Sequence, residues 1–199
     1  RPPGSTLFPY TTLFRSVGCS VSAPGGYRVL AETALPMEKL ESLVFTILCG
    51  VSNRGINRAE VRAGDMTLHV GAGIVGVCAA QLAQGLGAVP VLLDRDPERI
   101  AWVTDAFPDI PLVDAGAGDW ADRLKSIAPA GFDLLQDTVG HANTTDALVP
   151  LVRQQGTLLL QAQYFDKQAC ALDLDAIKVR ELTIKRSEEH TSELQSPNT

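Results

Sequence analysis

Apolar positions along the chain fall into two periods. Leu40, Leu43, Val44, Ile47, Leu48 and Val51 recur at i, i+3, i+4, i+7, i+8 and i+11, the stripe of a helix that must dock on something larger. The pattern loosens around Gly55, between Asn53 and Asn57. Further on, short apolar runs at 67–70, 89–94, 112–114, 132–137 and 157–162 read as strands, and 181–185 begins another. Between them the spacing predicts a helix opening at the third glycine of the segment 71–76, then helices over 97–107, 120–128 and 142–152. Ile74, Cys78, Leu82 and Leu86 share one face of the first of these, and Gly87 stops it. Upstream, 25–31 reads as a short strand, and Leu35-Pro36 leads into the long stripe. Strands alternating with helices imply right-handed crossovers, hence an α/β fold with a doubly wound, mostly parallel sheet.

The turn between the first predicted strand of that sheet and its helix is Gly71-Ala72-Gly73-Ile74-Val75-Gly76, and Asp94 closes the next strand 18 positions after Gly76. Strand, glycine-rich turn, helix, strand and terminal acid in this register are the dinucleotide-binding fingerprint of a Rossmann sheet. Gly71 permits the tight turn, Gly73 omits a Cβ where backbone meets a pyrophosphate, and Gly76 lets helix and strand approach. The N–H groups of Ile74, Val75 and Gly76 head the helix, where its dipole favours phosphate. Asp94 accepts hydrogen bonds from an adenosine ribose and repels a 2′-phosphate, which favours NAD over NADP. Arg95, beside it, offers a 2′-phosphate a partner and weakens that preference.

Composition narrows the partners. The 199 residues allow one domain or one and a part, and 45% hydrophobic content is ample for a core. A net charge of −6 argues against nucleic acid or an anionic membrane surface, and no 18-residue apolar run exists to span a bilayer. The cysteines at 19, 49, 78 and 170 contain no Cys-x-x-Cys pair and read as reduced thiols of a cytoplasmic protein. Cys78 is expected in helix–sheet packing. His69, interior to its strand, is expected to be packed or hydrogen-bonded and not catalytic. His141 follows the fourth strand of the sheet, where a cofactor contact and an exposed helix start are both open. Both ends stand apart: 1–16 and 186–199 contain stretches that resemble frame translations of paired short-read sequencing adapters, and are expected to be foreign to the gene. The natural stretch is then 17–185, cut from a longer protein, and His190 belongs to no site.

The order of Gly25-Gly26-Tyr27, Val61-Arg62-Ala63-Gly64-Asp65, the fingerprint, Asp94-Arg95-Asp96-Pro97-Glu98-Arg99, the segment 132–140 and Gln155-Gly156-Thr157 resembles the medium-chain, zinc-type, alcohol-dehydrogenase-like reductases across about 25–185. That resemblance implies a remnant of a GroES-like catalytic domain over 17–36, and a linking helix with a truncated Rossmann domain over 37–185. It implies that Gly71, Gly73, Ile74, Val75 and Gly76 hold the pyrophosphate, that Asp94 with Arg95 meets the adenosine ribose, and that Arg99 lies on the adenine side. Thr138, Val139, Gly140 and Gln161 would lie beside the cofactor at the sheet's carboxyl edge. The parent protein is then an NAD(P)-dependent oxidoreductase moving hydride between nicotinamide and a hydroxyl or carbonyl carbon of a small alcohol or polyol.

Tyr164-Phe165, Leu172-Asp173-Leu174 and Arg180-Glu181-Leu182-Thr183-Ile184 are similar to bacteriochlorophyllide hydroxyethyl dehydrogenase-like members, as well as to sugar and polyol dehydrogenases. The alternatives are a non-catalytic Rossmann nucleotide-sensing module and a truncated product without activity. In zinc-dependent members a cysteine before the cofactor domain can be the third catalytic metal ligand, which directs attention to Cys49. The run from Cys49 to Gly64 is short for that role, and Cys19, His69 and His141 have no metal-like spacing to it. A core cysteine is therefore expected, with no metal ligand and no catalytic residue assigned in this chain. Zinc remains open for the parent. An interrupted sixth strand leaves a bare sheet edge, which predicts dimerisation or aggregation, and the parent is expected to be a homo-oligomer.

Overall fold

The computed structural model describes residues 46–162 and 173–187. The expected strand at 25–31, the first part of the apolar stripe, Tyr164-Phe165 and Leu172 lie outside them. Helix α1 (Thr46–Ala59) runs straight through Gly55, where the sequence pattern loosens. Glycine costs a helix about 1 kcal/mol, but a Cβ here would stand 2.2 Å from Oε1 of Gln161. Gly55 is a point of close approach to the sheet and not a breaker.

There follow β1 (Met66–Val70), α2 (Ile74–Gly85), β2 (Val89–Asp94), α3 (Pro97–Ala106), β3 (Leu112–Asp114), α4 (Trp120–Ile127), β4 (Phe132–Asp137) and α5 (Ala142–Leu148). A 3-10 turn (Val149–Leu151), β5 (Val152–Leu160), α6 (Leu174–Val179) and β6 (Thr183–Arg186) complete the order. The six strands form one sheet in the order β3-β2-β1-β4-β5-β6, and every pairing is parallel. The order reverses between β1 and β4, so the crevice beyond their carboxyl ends is the topological switch point where such sheets bind ligands.

Three details depart from the sequence pattern. The expected helix over 142–152 gives way to the 3-10 turn at Pro150, which has no N–H to continue the ladder. Strand β5 starts at Val152 and not at Thr157, because the pairing with β4 shifts register between Phe132 and Leu134 and Gln155 adopts φ 59°. Helix α6, capped by Asp173 accepting from the Ala176 N–H, had no signal strong enough to predict it.

Side chains alternate across the sheet as the pleat requires. Leu68, Val70, Val91, Leu93, Val113, Leu135 and Leu158 face one way, against Leu124, Leu148 and Leu151 of α4, α5 and the 3-10 turn. On the other face Leu134 and Leu159 meet Ile56, Ala79 and Ala83 of α1 and α2. Leu92 meets Val77, Ala80 and Val103 of α2 and α3. Burial on both faces is why the strands read as near-continuous apolar runs.

That second face also carries a polar row, with Thr67, His69 and Gln136 all fully buried. Its hydrogen bonds have one consistent direction. Gln136 Oε1 only accepts, so His69 Nδ1 donates to it at 2.5 Å, and the neutral ring's Nε2 accepts from the Thr67 hydroxyl at 3.0 Å. Gln136 Nε2 in turn donates to Gln161 Oε1, and Gln161 Nε2 donates to the Val51 carbonyl of α1 at 2.6 Å. Among the described residues no buried side-chain nitrogen or oxygen lacks a partner. His69 is thus a hydrogen-bonded core histidine.

Candidate cofactor site

The glycine-rich segment leaves β1 with Gly71 at φ 97°, a conformation that a side chain would strain. A Cβ on Gly76 would sit 1.9 Å from the Gly71 carbonyl oxygen, so bare backbone at both positions is what brings helix and strand together. Gly73 differs. As N-cap of α2 it has φ −75° and ψ 179°, and a Cβ there would meet nothing within 4 Å. The protein's own packing does not require that glycine. The turn has no side-chain cap, and the N–H groups of Ile74, Val75 and Gly76 open the helix without intrahelical acceptors. Bare N–H groups at a helix start, with the dipole behind them, can receive an anion.

Beside it, a cleft of about 600 Å³ opens along the carboxyl edge of the sheet, lined in part by Gly71, Asp94, Arg95, Arg99 and Val139. Asp94, only 8% exposed, ends β2. Its Oδ2 accepts from the Ala72 N–H at 2.6 Å, and its Oδ1 accepts from the N–H groups of Arg95 and Asp96 at 2.7 and 2.9 Å. The carboxylate therefore ties the end of β2 to the glycine turn while facing the cleft. The Arg99 guanidinium lies 3.6 Å from it, held at the start of α3 by a helix cap in which Asp96 accepts from the Glu98 and Arg99 N–H groups.

Across the switch point, Thr138 donates both its N–H and its hydroxyl to the Val70 carbonyl, at 3.1 and 2.7 Å. Val139 and Gly140 form the turn that follows, and Asp137 Oδ1 accepts from both of their N–H groups at 2.9 and 3.2 Å. Asp137 Oδ2 accepts from the Thr145 hydroxyl at 2.8 Å. Sequence reasoning missed Asp137, although an Asp at a strand end two and three residues before the N–H groups it serves is a recognisable turn signal. Asp137 is itself only 1% exposed, and Asp137→Ala leaves three donors without this acceptor. A loss of about 3 kcal/mol in stability is expected, read from the urea midpoint at unchanged slope.

The Gln161 side-chain amide accepts a hydrogen bond from Gln136 Nε2 and donates one to the Val51 carbonyl of α1. His141 is the N-cap of α5, exposed and lining the cleft. The cleft also includes Trp120 and Leu148. Neither was singled out for the site, although Trp120 opens α4 at the carboxyl edge where every crossover of such a sheet begins.

An all-parallel, doubly wound Rossmann sheet with a glycine-rich turn at its switch point is the class that fold and cleft define. Residues 75–195, more than half of the chain, match the family described as zinc-binding dehydrogenase, and the chain belongs to that family. It is similar to L-galactonate-5-dehydrogenase of Escherichia coli (strain K12), with 33% identity over 112 residues, covering 55% of this chain and 32% of that protein. D-arabinitol dehydrogenase 1 of Uromyces fabae is 32% identical over 158 residues, 72% of this chain and 44% of its own length. Among solved structures, an alcohol dehydrogenase from Thermus sp. ATN1 superposes with a TM-score of 0.66 at 27% identity, over 74% of this chain and 43% of that one. The chain spans less than half the length of each of these relatives.

The family description raises the question of a metal. Cys49 and Cys78 face each other with their sulfurs 3.1 Å apart. Zinc takes at least three protein ligands, and among the described residues no group of three or more His, Cys, Asp or Glu is placed to hold an ion. The described residues do not fit a zinc site.

Proposed function

We propose that this domain binds a nicotinamide dinucleotide, NAD in preference to NADP. The longer protein would use it to move hydride between nicotinamide C4 and the hydroxyl-bearing or carbonyl carbon of a small alcohol or polyol. The observation that carries the reading is Asp94, a buried carboxylate at the end of β2 that faces the cleft and braces the glycine turn. The N–H groups of Ile74, Val75 and Gly76 would hold the pyrophosphate, and Gly73 would leave room for it. Asp94 would accept from the adenosine ribose, with Arg95 and Arg99 at its rim. Thr138, Val139, Gly140 and Gln161 would lie beside the cofactor at the carboxyl edge of the sheet.

When bound, the cofactor supplies the hydride chemistry, and the chain's part is to hold and orient it. The names L-galactonate-5-dehydrogenase, D-arabinitol dehydrogenase 1 and D-arabitol-phosphate dehydrogenase among similar proteins favour a polyol or sugar-acid substrate over the bacteriochlorophyllide resemblance of the segment 164–184. We place the linking helix and cofactor domain at 37–185, the remnant of a catalytic domain at 17–36, and adapter-like ends at 1–16 and 186–199.

A thermal melt with NAD and, separately, NADP tests the cofactor reading. Ligand at 100 times its dissociation constant adds about 2.7 kcal/mol to the folded state. NAD is expected to raise the melting temperature more than NADP. Asp94→Asn, which keeps an acceptor for the Ala72 N–H but removes the charge, is expected to shrink the NAD shift and enlarge the NADP shift. Equal shifts in the unsubstituted chain would refute the preference, and no shift with either would refute the site.

A further inference from the structure

We propose that Cys49 and Cys78 are a redox-active dithiol that closes into a disulfide by exchange with a small-molecule disulfide, clamping α1 onto the helix that carries the glycine turn. The two sulfurs stand 3.1 Å apart although the residues are 29 positions apart in sequence. An S–S bond needs them to close by about 1 Å. Both residues are half-buried, neither sealed in the core nor fully exposed. The helices that carry them are already docked at this level, since the Ser52 hydroxyl of α1 donates to the Val75 carbonyl in the first turn of α2 at 2.9 Å. Closing the bond therefore joins two helices that are already in contact, and it tethers α1 to the helix whose first turn carries those N–H groups.

The two thiols take different parts. Burial, with the neighbouring Cys49 thiol, pushes the Cys78 thiol up to about 12, which disfavours Cys78 as the first attacking thiolate and leaves it the resolving part. Cys49 thiolate displaces one thiolate from the oxidant and forms a mixed disulfide with its other half. Cys78 then attacks the Cys49 sulfur, its proton passing to the second departing thiolate. Two protein thiols lose two electrons and two protons, and one disulfide is reduced to two thiols. No metal or further co-reactant enters.

The experiment treats the full chain with oxidised glutathione, blocks the remaining thiols with N-ethylmaleimide and maps tryptic peptides. Cleavage after Lys39, Arg54, Arg62 and Arg95 isolates Cys49 in the peptide 40–54 and Cys78 in the peptide 63–95, apart from Cys19 and Cys170. The expected result is a cross-link between those two peptides that dithiothreitol reverses. A rise of several degrees in melting temperature should accompany it, because the closed loop restricts the unfolded chain. The double variant Cys19→Ser/Cys170→Ser, which leaves both proposed partners in place, is expected to form the same cross-link. Alkylation of both Cys49 and Cys78 after oxidant, glutathione retained on Cys49 as a stable end product, or pairing of either with Cys19 or Cys170 would overturn the proposal.

Discussion

Gly76→Ala is expected to destabilise the domain by roughly 3 kcal/mol and to remove nearly all cofactor affinity. The new Cβ would lie 1.9 Å from the Gly71 carbonyl oxygen. That oxygen cannot yield easily, because Gly71 is held at φ 97°, with its N–H donated to the Leu93 carbonyl at 2.8 Å. Relief must come from displacing the start of α2, whose first-turn N–H groups are the proposed phosphate cradle. If about 3 kcal/mol of the binding-competent geometry is lost, affinity falls by about 100-fold. Gly73→Ala is the informative companion. Its Cβ meets nothing within 4 Å and its backbone is open to any residue. Its stability should change by less than about 1 kcal/mol, the scale of an N-cap exchange. Cofactor affinity should nevertheless fall, since the methyl occupies the space left for the pyrophosphate. Denaturant melts and a cofactor titration on both variants separate the two roles. Equal behaviour of the pair in both measurements would mean that Gly73 serves the fold and not a ligand.

Acid is expected to unfold the domain earlier than its carboxylates alone would. His69 is fully buried, and burial lowers its pKa from 6.5 to about 4 against the opposing hydrogen bond to Gln136. At pH 7 the folded ring is neutral and the unfolded ring mostly so, and the pH dependence it contributes is small. Between pH 6.5 and 4 the unfolded chain takes up a proton that the folded chain refuses, so stability falls as pH drops through that window. The full span corresponds to about 3 kcal/mol. Burial is the main cause of the resistance, and protonation would also turn Nε2 from acceptor into a second donor aimed at the Thr67 oxygen, so that the Thr67 hydroxyl would have to rotate away. Urea midpoints at pH 7 and pH 5.5 measure the effect above most carboxylate titration. A His69→Gln variant is expected to be less stable at pH 7 but flat between those two pH values. A parent chain that is itself flat there would show that the ring titrates normally.

Much of the architecture was legible because its determinants are local. The apolar runs that became β1 to β4, the stop at Gly87 and the spacing of Gly71, Gly73, Gly76 and Asp94 are properties of neighbouring residues, and the handedness of crossovers converts them into a sheet order. Those same local rules misjudged Gly55, whose permissive backbone reads as a weak point until Gln161 is found pressed against it. They were also silent on Asp137, on Trp120 at the cleft and on the second duty of Asp94 as acceptor for the Ala72 N–H. The row Thr67, His69, Gln136 and Gln161 exists only because β1, β4 and β5 pair in one particular register, which sets those residues on one face beneath α1. The approach of Cys49 to Cys78 depends on how two helices settle on that face. Periodicity says which face of an element is apolar. Which polar atoms meet across elements is settled by register and packing, where a shift of one residue exchanges every partner.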